Sequence, residues 1–167
     1  MHLDGQLSVF PREIKLLIGV FVIVLSIGFF TGLLFVEETS SANPNGIEEQ
    51  YLGNELDENA TVMKFKKSEQ EMLTLVHNHV LSMSIIFFLV SLILYTSKLN
   101  TKIKLFLMIE PFVSVVLTFG GIYLLWRGNL WMKYIIMFSG SLMVLSYSAS
   151  VIIILSQLFR KNHKINN

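Results

Sequence analysis

Four runs of apolar residues, each about as long as a bilayer is thick, constrain this chain more than any other feature. Crossing the hydrocarbon takes about 20 residues of helix. The runs at about 14–36, 72–96, 105–126 and 134–159 each supply that length. Backbone N–H and C=O groups find no water inside lipid, so a spanning segment must bond to itself as a helix. The sequence therefore predicts an all-α integral membrane protein, an antiparallel four-helix bundle. It reads as a single membrane domain over 1–167 with one sizeable outer loop at 37–67. Composition agrees: 53% of the 167 residues are hydrophobic and 15% charged, where a soluble domain carries about a quarter charged. The first run exceeds the 7–15 apolar residues of a cleaved signal peptide and has a weakly charged flank. It reads as a retained span.

Orientation follows from where the cations fall. With the N-terminus inside, the cytoplasmic segments hold Arg12, Lys15, Lys98, Lys102, Lys104, Arg160, Lys161 and Lys164. The outer segments hold Lys64, Lys66, Lys67, Arg127 and Lys133. Both termini are expected in the cytoplasm of a cell with the protein in its inner (plasma) membrane. Trp126 and Trp131 bracket the outer turn at Arg127-Gly128-Asn129, where an aromatic belt would place them. The outer loop has turn chemistry at Asn43-Pro44-Asn45-Gly46, then a stretch mixing acids with Tyr51 and Leu52. It is too short to bury a core of its own and is expected to fold over the outer mouth or against a partner. Asn59-Ala60-Thr61 fits a glycosylation sequon, a three-residue match that carries little weight alone.

Small and polar residues mark helix contacts in lipid, because hydrophobicity does not drive association there. In the second run Thr74, His77, Ser84, Ser91 and Lys98 recur at spacings near two helical turns and read as one stripe. In the fourth, Ser139, Ser146, Ser150 and Gln157 do the same. The first carries Gly28-Phe29-Phe30-Thr31-Gly32, a GxxxG, and the third carries Gly120-Gly121. These are packing features first and a solute path second.

Two histidines, His77 and His79, stand near the start of the second run, after a capping box at Ser68–Glu71. Ionisable or ligating groups in a membrane helix are candidate functional sites. Two residues apart on a helix, they point about 200° from each other and cannot share one metal from one face. The serine stripe selects His77 as the inward one and leaves His79 outward. The alternatives are a hydrogen-bonded structural histidine, a haem b or metal ligand, and a quinone or proton site. Met83 lies one turn below His79, and a His/Met copper site fits on ligand softness. The other histidines, His2 and His163, fall at the opposite face, so one chain cannot build a bis-His haem around His77. Having no cysteine, the chain can form neither disulfides nor thiolate metal centres. The letters His77-Asn78-His79 match a nuclease motif, but that chemistry needs a soluble metal module, and no nucleic-acid partner is expected. By default no cofactor is expected.

Glu110-Pro111 is the second polar intrusion. Pro111 removes a backbone donor. Glu110 is expected to pair with Arg160, Lys15 or Lys104 by snorkelling; otherwise it is a proton-accepting or cation-binding carboxylate.

The segment EQEMLTLVHNHVLSMSIIFFLVSLIL, residues 69–94, resembles small uncharacterised bacterial four-span membrane proteins with a His-x-His pair at the start of the second helix. That resemblance implies a class and no activity. No nucleophile, phosphate loop or nucleotide fingerprint is present. The first reading is a non-enzymatic multi-pass protein, a small subunit or partner-binding component of an inner-membrane assembly, in contact with the lipid bilayer and with a protein partner or further copies of itself. The second is a haem- or metal-binding redox membrane protein using His77 and His79. The third is an oligomeric transporter or proton-conducting component.

Overall fold

The computed structural model describes residues 7–160 apart from 42, 56, 58 and 59. His2, Asn59, Lys161, His163 and Lys164 therefore lie outside the described residues. A 3-10 turn (Leu7–Val9) leads into α1 (Arg12–Ser40), α2 (Pro44–Leu52), α3 (Glu69–Tyr95), α4 (Thr101–Trp126) and α5 (Met132–Leu158). No strand occurs among the described residues. All but α2 are long and apolar enough to cross a membrane. The protein is an all-α bundle of membrane type.

Local chemistry sets the helix ends. At α3 the Ser68 hydroxyl accepts from the Glu71 amide while the Glu71 carboxylate accepts from the Ser68 amide, so the capping box is complete. Asn100 caps α4 by accepting from Lys102. At α2 the Asn43 side chain accepts from Asn45 and Gly46, and Pro44 occupies the first turn, where a missing N–H costs nothing. α1 ends at Ser41 in the left-handed region (φ 52°).

The packed centre is α3, α4 and α5. α4 is the most enclosed helix, with half of its apolar window buried. Close approach of α4 and α5 is permitted by Gly121, where an added Cβ would sit 3.0 Å from Ile136. Tyr147 of α5, fully buried, organises the middle. Its ring stacks on Phe29 at 4.0 Å and meets Phe87 edge-on at 6.1 Å. By contrast α1 has only 11% of its apolar window buried. It touches the rest along Gly19, Val22, Ser26 and Phe29, spaced three and four apart on one face. The expected four-helix bundle is thus present, built as a core of α3, α4 and α5 with α1 laid on its side.

Each end is closed by side chains bonding backbone. At the terminal end Lys104 is buried, and its ammonium donates to the carbonyls of Tyr95 (3.1 Å) and Ser97 (2.6 Å) at the end of α3. A cation there complements the exposed carbonyls of a helix C-terminus. Gln157 of α5 bonds both the N–H and the C=O of Lys98. At the other end α2 rests on the tips of α1, α4 and α5, with Ile47 buried and Lys133 paired to Glu48 at 2.6 Å. The loop thus folds over the bundle end. Trp126 is not a belt residue: it is buried there, donating to the Lys67 carbonyl at 2.7 Å under the Lys66 ammonium. Trp131 is the exposed one.

Candidate functional site

Two groups of polar residues were legible candidates, the histidines of α3 and the acid of α4. The structure treats them differently.

The inward face of α3 is drawn by Met72, Val76, Val80, Met83, Phe87, Val90 and Leu94, which recur every three or four residues and are buried or partly buried. His79 belongs to the side of that face turned toward α4. Its ring stacks on Phe119 at 4.7 Å, and its Nδ1 lies 2.9 Å from the Leu75 carbonyl. His77 is exposed on another face. Both histidines are exposed, so the expectation that His77 points inward does not hold, and of the two it is His79 that touches a neighbouring helix. The physical reason lies in the stripe used to choose between them. A seven-residue repeat drifts about 20° per two turns on a straight helix. Ser91 sits at the edge of the packed face, buried, with its hydroxyl 3.3 Å from the Met108 carbonyl. Ser84, one repeat back, is only partly buried, and a further repeat carries the line to His77, outside the face. Met83 shares the His79 side; His77 does not join them. Among the described residues no group of three His, Asp or Glu side chains is poised around a common point.

The acid lies in the α4·α5 contact. Glu110, Ser114 and Thr118 follow one another at four-residue intervals on α4, and all three are buried. Ser114 donates its hydroxyl to Glu110 Oε1. Thr118 shares a 2.7 Å hydrogen bond with Ser139 of α5, whose hydroxyl also lies 2.8 Å from the Ile135 carbonyl. The pairs Thr118·Ser139 and Gly121·Ile136 fix the antiparallel register. That register puts Ser146 and Tyr147 level with Glu110. Ser146 and Ser150 are buried on the same seam, and Ser150 donates to the Ser146 carbonyl at 2.8 Å. The serine stripe of α5 was read correctly as a contact face.

The expected partner of Glu110 is absent. Among the described residues Glu110 makes no ion pair, and its only hydrogen-bond partner is Ser114. Lys104 is turned toward the α3 carbonyls, Arg160 is exposed, and Lys15 lies on α1, the helix that packs least. Snorkelling was the wrong picture because α4 begins at Thr101. Glu110 is nine residues into the helix, about 14 Å from its start at 1.5 Å per residue. Ser114 and Thr118 were missed as its companions. Their spacing of four from Glu110 was the available signal.

The sequence matches the family Aq_1264_TM, described as a transmembrane helical domain, over residues 41–165. The chain belongs to this family. The Aq_1264_TM domain takes in α2 to α5, and α1 falls outside the matched region. No curated protein and no solved structure matches the chain.

Proposed function

We propose that this protein is a non-enzymatic partner-binding component of a membrane assembly, and that α1 is the helix it offers to the partner. One observation carries the reading. An added Cβ at Gly28 or Gly32 would meet no atom within 4 Å, so the GxxxG of α1 is unused among the described residues. Gly28 lies about 100° around the helix from Phe29 and about 200° from Ser26, the residues by which α1 holds the bundle. The glycine face is thus free while the helix stays docked. Small residues at this spacing allow two helix backbones to cross in contact inside lipid. The position of α1 beside the Aq_1264_TM domain supports the same division between a packed domain and an arm.

The excess of basic residues at the terminal end supports an inner-membrane orientation with both termini cytoplasmic and α2 outside. Several cations of the α2 end are engaged locally, Lys64 with the Thr39 carbonyl, Lys133 with Glu48 and Lys67 with Glu71.

Cysteine crosslinking in native membranes tests the partner role, since the chain has no cysteine of its own. A cysteine at exposed Phe35, on α1, should give a discrete crosslinked product. Gly28→Ile with Gly32→Ile should abolish it without altering the helicity of the purified protein. A product of twice the chain mass identifies a second copy, and another mass identifies a different protein. A product that survives both isoleucines refutes the role of this face.

A further inference from the structure

Glu110 is 7% exposed, lies in the middle of the most enclosed helix, and has a carboxylate oxygen, Oε2, with no hydrogen-bond partner among the described residues. We propose that Glu110 is a proton-binding site, carried as the neutral carboxylic acid and exchanging its proton. This is independent of the role given to α1.

The surroundings of the acid favour the uncharged form. An ionised carboxylate at this depth would face hydrocarbon and buried aliphatic groups with one hydroxyl as its whole compensation, and such a charge is expensive in a membrane. Titratable side chains on the elements packed around it are few. α3 carries Glu69, Glu71, His77, His79 and Tyr95, and α5 carries Lys133, Tyr134 and Tyr147. α4 itself carries Lys102, Lys104 and Tyr123, and α2 at the far end carries Glu48, Glu49 and Tyr51. On α1 they are Arg12, Glu13, Lys15, Glu37 and Glu38, all toward its ends. His79 is level with Phe119, nine residues and about 14 Å along α4 from Glu110. Among the described titratable residues only Tyr147 stands level with the acid, and its hydroxyl shares a 3.1 Å bond with Ser26 of α1. Among the described residues no cation is paired with the carboxylate.

The chain also leaves an acceptor for the acid's proton. Pro111 has no N–H, so the carbonyl of Leu107 lacks its ordinary backbone donor four residues on. Leu107 is buried, and its carbonyl lies one turn from Glu110 on the same helix. A carboxylic O–H and a carbonyl short of its i+4 backbone donor, within one turn of each other, are complementary. A proton needs only such a pair, whereas hard divalent cations take about six oxygens or more. This turn supplies two from Glu110, one from Ser114 and one from Leu107.

The test is infrared spectroscopy of the full-length protein in lipid, following the carbonyl stretch of a protonated carboxylic acid through a pH titration. At neutral pH the band is expected to be present, to move on transfer to D2O, and to vanish in Glu110→Gln. Ser114→Ala keeps the acid and serves if Glu110→Gln fails to fold. It removes a hydroxyl whose donation to Oε1 favours the ionised form, so the variant favours the neutral acid. Its band is therefore expected to persist to higher pH than in the wild type. A wild-type protein without the band at neutral pH overturns the proposal, as does a band that Glu110→Gln leaves unchanged or a Ser114→Ala midpoint moved to lower pH. Loss of the band on adding sodium chloride, but not a bulky organic cation chloride, would make a metal cation the ligand and also overturn it.

Discussion

Gly46 is the position where one methyl group should cost the most. It opens the first turns of α2 directly beneath the end of α1, and an added Cβ would lie 1.8 Å from the Ser40 carbonyl oxygen and 2.7 Å from its carbon. Both are backbone atoms, so no rotamer change can relieve the collision, and α2 must move by about 1 Å or more to reach the 3.0 Å floor of real contacts. Such a movement pulls on everything that holds α2 down. Ile47 is 6% exposed, and its burial is worth about 2 kcal/mol. The Lys133–Glu48 pair at 2.6 Å also has to part, and the Asn43 cap adds about 1 kcal/mol. Losing most of these shifts the docked-to-undocked balance by about 3 kcal/mol, or roughly a hundredfold. Hydrogen exchange of the full-length protein in lipid discs reads this directly, as faster exchange of the α2 amides in Gly46→Ala. Gly120→Ala is the matched control, because a Cβ there meets no atom within 4 Å and alanine gains about 0.5–1 kcal/mol in a helix interior. Protection of α2 that is the same in Gly46→Ala as in the wild type would refute the contact between the two helix ends.

Burial pushes the Tyr51 phenol from 10.0 up to about 12, so the folded loop holds it neutral while an undocked loop ionises first. The stabilisation is complete below pH 10 and is lost as pH rises to 12, by up to about 2–3 kcal/mol. Alkaline release of α2, followed by the same exchange measurement, should be blunted in Tyr51→Phe. Thr118→Val removes the hydrogen bond to Ser139 at nearly constant shape, and its cost in detergent unfolding should be small, about 0.6 kcal/mol, as for interhelical bonds in lipid generally. His79→Leu should lower the unfolding midpoint more than His77→Leu, since only His79 stacks on Phe119.

The number of spanning helices was legible because bilayer thickness imposes a length that composition can report. The caps were legible because Ser68 and Glu71, or Asn43 and Pro44, act within four residues of one another. The phase of α3 was not. Its two faces are nearly equally apolar, since lipid-facing positions such as Leu81, Ile85 and Phe88 are as hydrophobic as the buried Phe87 and Val90. In water the polar face would have betrayed the inward one; in lipid only a few serines remain to do so, and an edge serine, Ser91, misdirected the reading of His77. The partner of Glu110 was misjudged for a related reason. Lys104 was one of the three cations expected to reach it, yet six residues separate the two on one helix, and the end of α3 presents Lys104 with carbonyls that need a donor.

The distribution of polarity in the bundle follows the distribution of burial. α1, the most exposed helix, has no ionisable residue between Lys15 and Glu37, which is what lipid contact on most of its surface demands. α4, the most enclosed, is where an acid is tolerated, because protein on several sides replaces hydrocarbon and Ser114 on the same helix supplies a hydroxyl. Placing Glu110 on the face of α1 that bears Gly28 would expose it to lipid with no donor in reach. An acid retained at an enclosed mid-bundle position, beside a proline that leaves Leu107 without its backbone donor, is hard to account for as packing, since a leucine and an alanine at 110 and 111 would be cheaper in both burial and backbone bonding. The swap Glu110→Leu with Pro111→Ala should therefore raise the unfolding midpoint in detergent. A lower midpoint would show that the pair serves the fold itself, and the reason for the acid would have to be sought in stability.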